Sequence, residues 1–146
     1  MAYTDLREFI AALEKNGELK RISAEVDPVL EITELADRAV KIGGPALLFE
    51  NPSGFDIPVL INAFAGTHKM ELALDVSSID SIADRISEYL EMKTPQGLVG
   101  KLKMLPKLAE MGSFFPSAVK TGPVKQIIKH TDFSLFEYPI LQCWPQ

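Results

Sequence analysis

The sequence predicts a mixed α/β (α+β) fold, and three observations carry that expectation. Amphipathic stretches of helical period recur at residues 5–16, 30–42 and 79–92. The apolar runs between them, at 46–49 and 58–62, are too short for stable helices and suit buried strands. Glycine- and proline-rich turns separate the two kinds of segment, as expected where helices pack on a small sheet.

The first helix, 5–16, places Leu6, Phe9, Ile10 and Leu13 on one face and Arg7, Glu8, Glu14 and Lys15 on the other. Asp5 followed by Glu8 has the spacing of a capping box with Asp in place of Ser or Thr, and Asn16-Gly17 supplies a left-handed stop. Residues 19–22 form a short strand, broken at Asp27-Pro28. The second helix, 30–42, carries an apolar stripe of Ile32, Leu35, Ala36, Ala39 and Val40. Its acids, Glu31, Glu34 and Asp37, precede its bases, Arg38 and Lys41, which complements the helix dipole, and Gly43-Gly44-Pro45 ends it.

A strand at 46–49, a turn at Asn51-Pro52-Ser53-Gly54 and a strand at 58–62 make a hairpin-like pair. Helices are expected at 67–74 and 79–92, the second with Ile79, Ile82, Ala83, Ile86, Tyr89 and Leu90 on one face, and both are expected to cover the sheet. Strand order is left open by the sequence. Beyond Lys93, residues 94–97 read as a break, and 98–111 as a helix that Pro106 should kink or divide. Phe114 and Phe115 mark 112–122 as a connector lying against another surface. A strand at 124–129 and an irregular apolar segment at 133–144 complete the chain, giving a division into 1–112 and 113–146.

At 146 residues, 47% apolar and 24% charged, the composition is that of a globular protein. A net charge of -5 with interspersed bases argues against nucleic acid as a partner. The lone Cys143 excludes an intramolecular disulfide and a cysteine metal cluster, and suits a reducing compartment; the absence of a recognisable targeting signal makes cytoplasm the default. No apolar run approaches the roughly 20 residues of a membrane span.

Dinucleotide, P-loop, zinc-protease and serine-hydrolase motifs are absent. His68 and His130 have no identifiable partner, so a solvated or structural role is favoured over acid–base work. Gly43-Gly44-Pro45 follows a helix, whereas phosphate cradles precede one, so it reads as a helix stop. Glu31, Glu34 and Asp37 share a face but lack further oxygen ligands, which favours solvation over metal binding. Cys143, beside Trp144 and Ile140-Leu141, is expected to be packed rather than nucleophilic.

The blocks Asp5-Leu6-Arg7-Glu8-Phe9-Ile10, Gly17-Glu18-Leu19-Lys20-Arg21-Ile22, Glu25-Val26-Asp27-Pro28 with Glu31-Ile32, and Gly43-Gly44-Pro45-Ala46-Leu47-Leu48-Phe49-Glu50-Asn51 stand in that order along the chain. Together they resemble the N-terminus of the UbiD family of prenylated-FMN-dependent decarboxylases. Pro139-Ile140-Leu141-Gln142-Cys143-Trp144-Pro145 resembles the segment that introduces the family's flavin-binding domain. Phe64-Ala65-Gly66-Thr67-His68-Lys69 departs from the usual Phe-Gly-Thr-like pattern, and the long connector from Lys93 to Gly122 resembles a menaquinone-type subgroup.

The resemblance implies a following split β-barrel domain holding prenylated FMN, manganese (Mn2+) and potassium (K+). The family's metal-binding Asn, nearby Arg and Glu-Arg-Glu set belong to that part, so it transfers no catalytic, cofactor-binding or metal residue to this sequence. It implies non-oxidative decarboxylation of an aromatic or α,β-unsaturated acid, in quinone biosynthesis, by a homo-oligomer that associates peripherally with membranes if its substrate is polyprenylated. The 146 residues are expected to bind none of these cofactors and to be inactive alone, a domain that supports and encloses the site. The alternative is a stand-alone non-enzymatic module that binds a partner through Phe114-Phe115 and Trp144.

Overall fold

The computed structural model describes residues 3–92, 97–131 and 133–145. The chain divides into two units, Met1–Arg85 together with Ser134–Gln146, and Ile86–Phe133.

Helix α1 spans Leu6–Lys15 and buries Phe9 and Leu13. Asp5 is extended and its Oδ1 accepts from the amides of Arg7 (2.8 Å) and Glu8 (3.1 Å), two of the donors a helix start leaves unpaired. The reciprocal arm of the expected capping box lands one residue early, because Glu8 Oε2 accepts from the amide of Thr4 at 2.6 Å. At the other end Gly17 takes φ +73°, and the amides of Gly17 and Glu18 close back on the carbonyls of Glu14 and Leu13.

Strands β1 (Leu19–Val26), β2 (Ala46–Pro52) and β3 (Val59–Ile61) form one sheet in that order. β1 and β2 are parallel, crossed over by helix α2 (Glu31–Lys41), while β2 and β3 pair antiparallel with Phe49 opposite Val59. β1 runs four residues past its predicted end because its ladder to β2 continues to Val26 and Pro52 across a register shift between Ile22 and Glu25. The polar side chains there are used: Asn51 Nδ2 donates to the Ser23 carbonyl (2.6 Å), and Ser53 Oγ donates to Glu25 Oε1 (2.8 Å).

β2 is apolar throughout its first four residues because it is covered on both faces. Leu47 and Phe49 pack with Ile32 and Ala39 of α2, whereas Ala46 packs with Phe9 and Leu13 of α1 and with Ala63. Helix α3, Thr67–Leu74, lies on the α1 side, where Tyr3 donates its hydroxyl to the Leu72 carbonyl at 2.7 Å. Arg21 joins three elements, forking onto Glu14 of α1 and reaching Glu50 of β2.

Helix α4, Asp80–Leu90, forms where helical period requires, but it buries no side chain, so the expectation that it covers the sheet is corrected. An apolar stripe reports that a helix has a face; it does not supply the partner. In Ile86–Phe133, helix α5 spans Gly97–Ser113 and runs through Pro106 without being divided. Proline removes one backbone donor from the helix interior, and the helix nevertheless continues to Ser113. The predicted break lies for the most part outside the described residues, which resume at Gly97 with φ +74°. Among the described residues no strand forms at 124–129, which corrects that expectation: Pro123–Lys125 form a 3-10 turn, and the residues after it are exposed. β-propensity makes no strand without a ladder partner. Phe114 meets Tyr89 edge to face at 5.7 Å, while Phe115 stays exposed.

The cap of α1 carries a pH dependence. Hydrogen bonding to the Glu8 amide, assisted by Arg7, holds the Asp5 carboxyl below its ordinary range. A depressed folded-state value means that its contribution is present above the unfolded carboxylate range near pH 4 and is lost as pH falls through the lower, folded-state value. Asp5→Asn should keep a capping oxygen and flatten that acid dependence in urea titrations repeated from pH 6 downward. An unchanged acid slope would show that Asp5 does not contribute to it.

Candidate functional site

Two features of the larger unit bring polar groups together. The first is the turn Gly43-Gly44-Pro45. Gly43 adopts φ +64°, its amide donates to the Val40 carbonyl (3.0 Å), and the Gly44 amide donates to Ala39 (2.7 Å). Both amides are thus committed to closing α2, and neither is presented to an anion. What the turn presents is carbonyl oxygen. Gly44 O accepts from Lys69 Nζ (2.8 Å) and from Asn62 Nδ2 (3.3 Å), and Pro45 O accepts from the same Asn62 nitrogen (2.8 Å). A side chain at Gly44 would bring a Cβ to 3.0 Å from the Ala39 carbonyl, which explains the need for glycine.

Lys69 is 4% exposed, and its ammonium also faces Glu18 Oε2 at 3.4 Å. α3 delivers it, starting after Gly66 at φ +92°, and Asn62 reaches the turn from the end of β3 at φ +62°. Because Asn62 Nδ2 faces two carbonyls, its amide orientation is determined; Oδ1 is then left buried without a partner among the described residues.

The second feature is a cleft of about 750 Å3 between α2 and the segment 143–145. Leu30, Val40 and Ile61 supply apolar wall, and Cys143 and Trp144 the opposite side. That segment is pinned to the start of α2. Leu30 N–H donates to the Gln142 carbonyl (3.0 Å), Thr33 Oγ donates to it (3.1 Å), and the Gln142 amide returns a bond to Pro28 O (3.2 Å). Leu30 takes the left-handed φ +69°, uncommon for a branched side chain, and its amide meets a residue more than a hundred positions away.

The candidates named from sequence are dispersed. His68 is exposed, with Nδ1 3.9 Å from Glu71 Oε2, and His130 is exposed in the smaller unit. Glu34 and Asp37 form pairs with Arg38 and Lys41 one turn on, and Glu31 accepts from the Asp27 amide, so these acids are spent locally. Cys143 is exposed, which corrects its expected burial: Leu141 packs on the core, but the chain then turns outward. No group of three His, Cys, Asp or Glu side chains converges as a metal set among the described residues, and nothing in the Gly-Gly-Pro turn offers amides to a flavin phosphate. Lys69 and Asn62 were not legible from sequence. Lysine is read as surface by default, and the one local signal was the unusual Phe64–Lys69 stretch.

Residues 10–90 match the family model of the 3-octaprenyl-4-hydroxybenzoate carboxy-lyase N-terminal domain. An uncharacterized protein of Archaeoglobus fulgidus is 47% identical over all of this chain, which spans 30% of that protein's length. Among solved structures, the closed form of the vanillic acid decarboxylase of Sedimentibacter hydroxybenzoicus is similar over 99% of this chain and 28% of its own, at 26% identity and a TM-score of 0.68. The UbiD-class enzyme HmfF of Pelotomaculum thermopropionicum, in complex with FMN, is similar over 62% of this chain and 20% of its own, at 34% identity and a TM-score of 0.50.

Proposed function

The chain belongs to the UbiD N-terminal domain family, and from that premise we propose that it serves as the N-terminal part of a flavin-dependent, non-oxidative carboxy-lyase. The single observation that carries the proposal is the match of residues 10–90, joined to likeness along almost the whole chain to a decarboxylase of an aromatic acid. The substrate class is accordingly an aromatic or α,β-unsaturated carboxylic acid. In the net reaction the bond to the carboxylate carbon breaks, CO2 leaves, and a proton takes its place. Prenylated FMN, with Mn2+ and K+, would supply the electron sink. In such an enzyme the cofactor performs the difficult step and the protein orients it and the substrate.

The present residues contribute structure to that task. A β2 strand buried on both faces and a Gly44 turn held by two side chains make a rigid platform, and the pinned segment 140–145 is proposed to lead toward the flavin-binding part. A role in quinone biosynthesis, a homo-oligomeric assembly and a cytoplasmic location are parts of the same proposal. The domain division at 112 and 113 is also proposed, with 113–146 opening the flavin-binding part.

Two measurements test it. The protein expressed from the intact genomic locus should release CO2 from an aromatic or α,β-unsaturated acid when supplied with prenylated FMN, and loss of all such activity across a panel of these acids would overturn the enzyme assignment. The 146-residue chain titrated with FMN should show no saturable change in flavin fluorescence. Stoichiometric binding would instead place the flavin site within these residues.

A further inference from the structure

The residues before α2 offer a helix start that the structure does not use. Asp27-Pro28 pairs an aspartate able to cap with the one residue whose missing N–H costs nothing in a first turn. A helix begun there would place Leu30 in the right-handed region, with its amide turned to the Asp27 carboxylate. Part of that start is in place, since Asp27 Oδ1 accepts from the Val29 amide at 2.7 Å. The helix nevertheless begins at Glu31.

Between the two positions Leu30 stands at φ +69° and ψ -37°, and the Glu31 amide donates across it to the Val29 carbonyl at 2.9 Å. Leu30 is thus the centre of a left-handed γ-turn, a rare and strained conformation for a branched side chain. The turn absorbs one residue, so that Ile32 N–H reaches the Asp27 carbonyl (3.1 Å) where an unbroken helix would use Glu31 N–H. What the turn gains lies outside it. Leu30 N–H meets the Gln142 carbonyl, the Gln142 amide returns a bond to Pro28 O, and Val29 pairs with Gln142 as a parallel bridge. The Thr33 hydroxyl lies within hydrogen-bond distance of the Gln142 carbonyl (3.1 Å) and of the Leu30 carbonyl (2.9 Å). Leu141 beside them packs on the core, and all these residues belong to the larger unit.

One N–H therefore has two competing acceptors: the Leu30 amide can cap onto Asp27 or bond Gln142, but not both. We propose that Leu30 is the latch of a two-state strap, in which segment 140–145 is either docked with Leu30 left-handed, or released with α2 extended back to Pro28. In the docked state Cys143 and Trp144 form one side of the cleft along α2. Release opens that cleft and lengthens the helix in a single step, so the position of the strap is transmitted to the first turn of α2. The inference stands on backbone geometry and does not depend on decarboxylase activity.

The test is NMR of the isotope-labelled full chain. Gln142→Pro removes the amide that bonds Pro28 O and should free the strap, moving the Cα shifts of Val29 and Leu30 to helical values. A Leu30 that keeps its left-handed shifts in this variant would overturn the proposal, because the turn would then be set by Asp27 to Glu31 alone. Two gentler comparisons use amide hydrogen exchange. Leu30→Gly and Leu30→Ala lose the same atoms beyond Cβ but differ in the cost of a left-handed turn, so exchange at Gln142 should be about tenfold slower in the glycine variant. Thr33→Val keeps the branched shape and drops one donor, and exchange at Leu30 and Gln142 should rise together by about fivefold. Equal exchange at Gln142 in the glycine and alanine variants, or a rise at Gln142 without one at Leu30 in Thr33→Val, would overturn the latch.

Discussion

Phe49→Ala should destabilise the larger unit by about 3–5 kcal/mol, the largest effect expected of any single truncation here. Phe49 has no exposed surface, and its ring fills the space between the central strand and α2, against Ile32 and the partly buried Val59. Its backbone pairs with Ile22 on one side and Val59 on the other, so neither neighbour can move in without breaking a ladder. The cavity should therefore persist instead of collapsing, which is the condition for the upper part of the range. Urea unfolding followed by circular dichroism measures it. A loss below about 1 kcal/mol would mean that the sheet is not the centre of this unit's stability. Val40→Ala is the control: Val40 lies on the same side of α2 but is half exposed, and the smaller area removed from water should cost well under half as much.

Helices and strands were legible in this sequence to the extent that their signals were local. α1, α2 and α3 fall within a residue or so of their predicted limits because caps, glycine stops and helical period lie within each segment. β2 and β3 were legible from apolar runs. The far half of β1 was not, since Ser23 to Glu25 join the sheet only through β2 and through the side chains of Asn51 and Ser53. The segment 124–129 shows the converse: strand-like composition alone gives no strand there among the described residues. Pro106 lies inside α5 and does not divide it. The outward turn at Cys143 depends on the Gln142 clamp to Leu30 and Thr33, which links residues 109 or more positions apart and leaves no mark in either local pattern. Family resemblance supplied the functional reading that composition and motifs did not.

The Gly44 carbonyl is where two long-range side chains converge, and its energetics should show it. Lys69→Met keeps much of the apolar stem but removes the donor to Gly44 O and the charge facing Glu18; about 1–3 kcal/mol should be lost. Glu18 is a quarter exposed and recovers water, which keeps the cost below that of stranding a fully buried charge. Asn62→Gly is the suitable partner substitution. It removes the bonds to Pro45 and Gly44 but tolerates φ +62°, where alanine would add left-handed strain of its own. If each side chain holds the turn only through its own bonds, the two losses add to within about 0.5 kcal/mol. The geometry predicts otherwise: once either donor is gone the turn is freer to leave the other, so the double variant should lose less than the sum, by about 1 kcal/mol. Strict additivity in the double-mutant cycle would mean that the turn is held by the closure of α2 alone, with Lys69 and Asn62 as independent attachments. A coupled cycle would make the end of α2, the end of β3 and α3 one mechanical unit, as the proposed platform role requires.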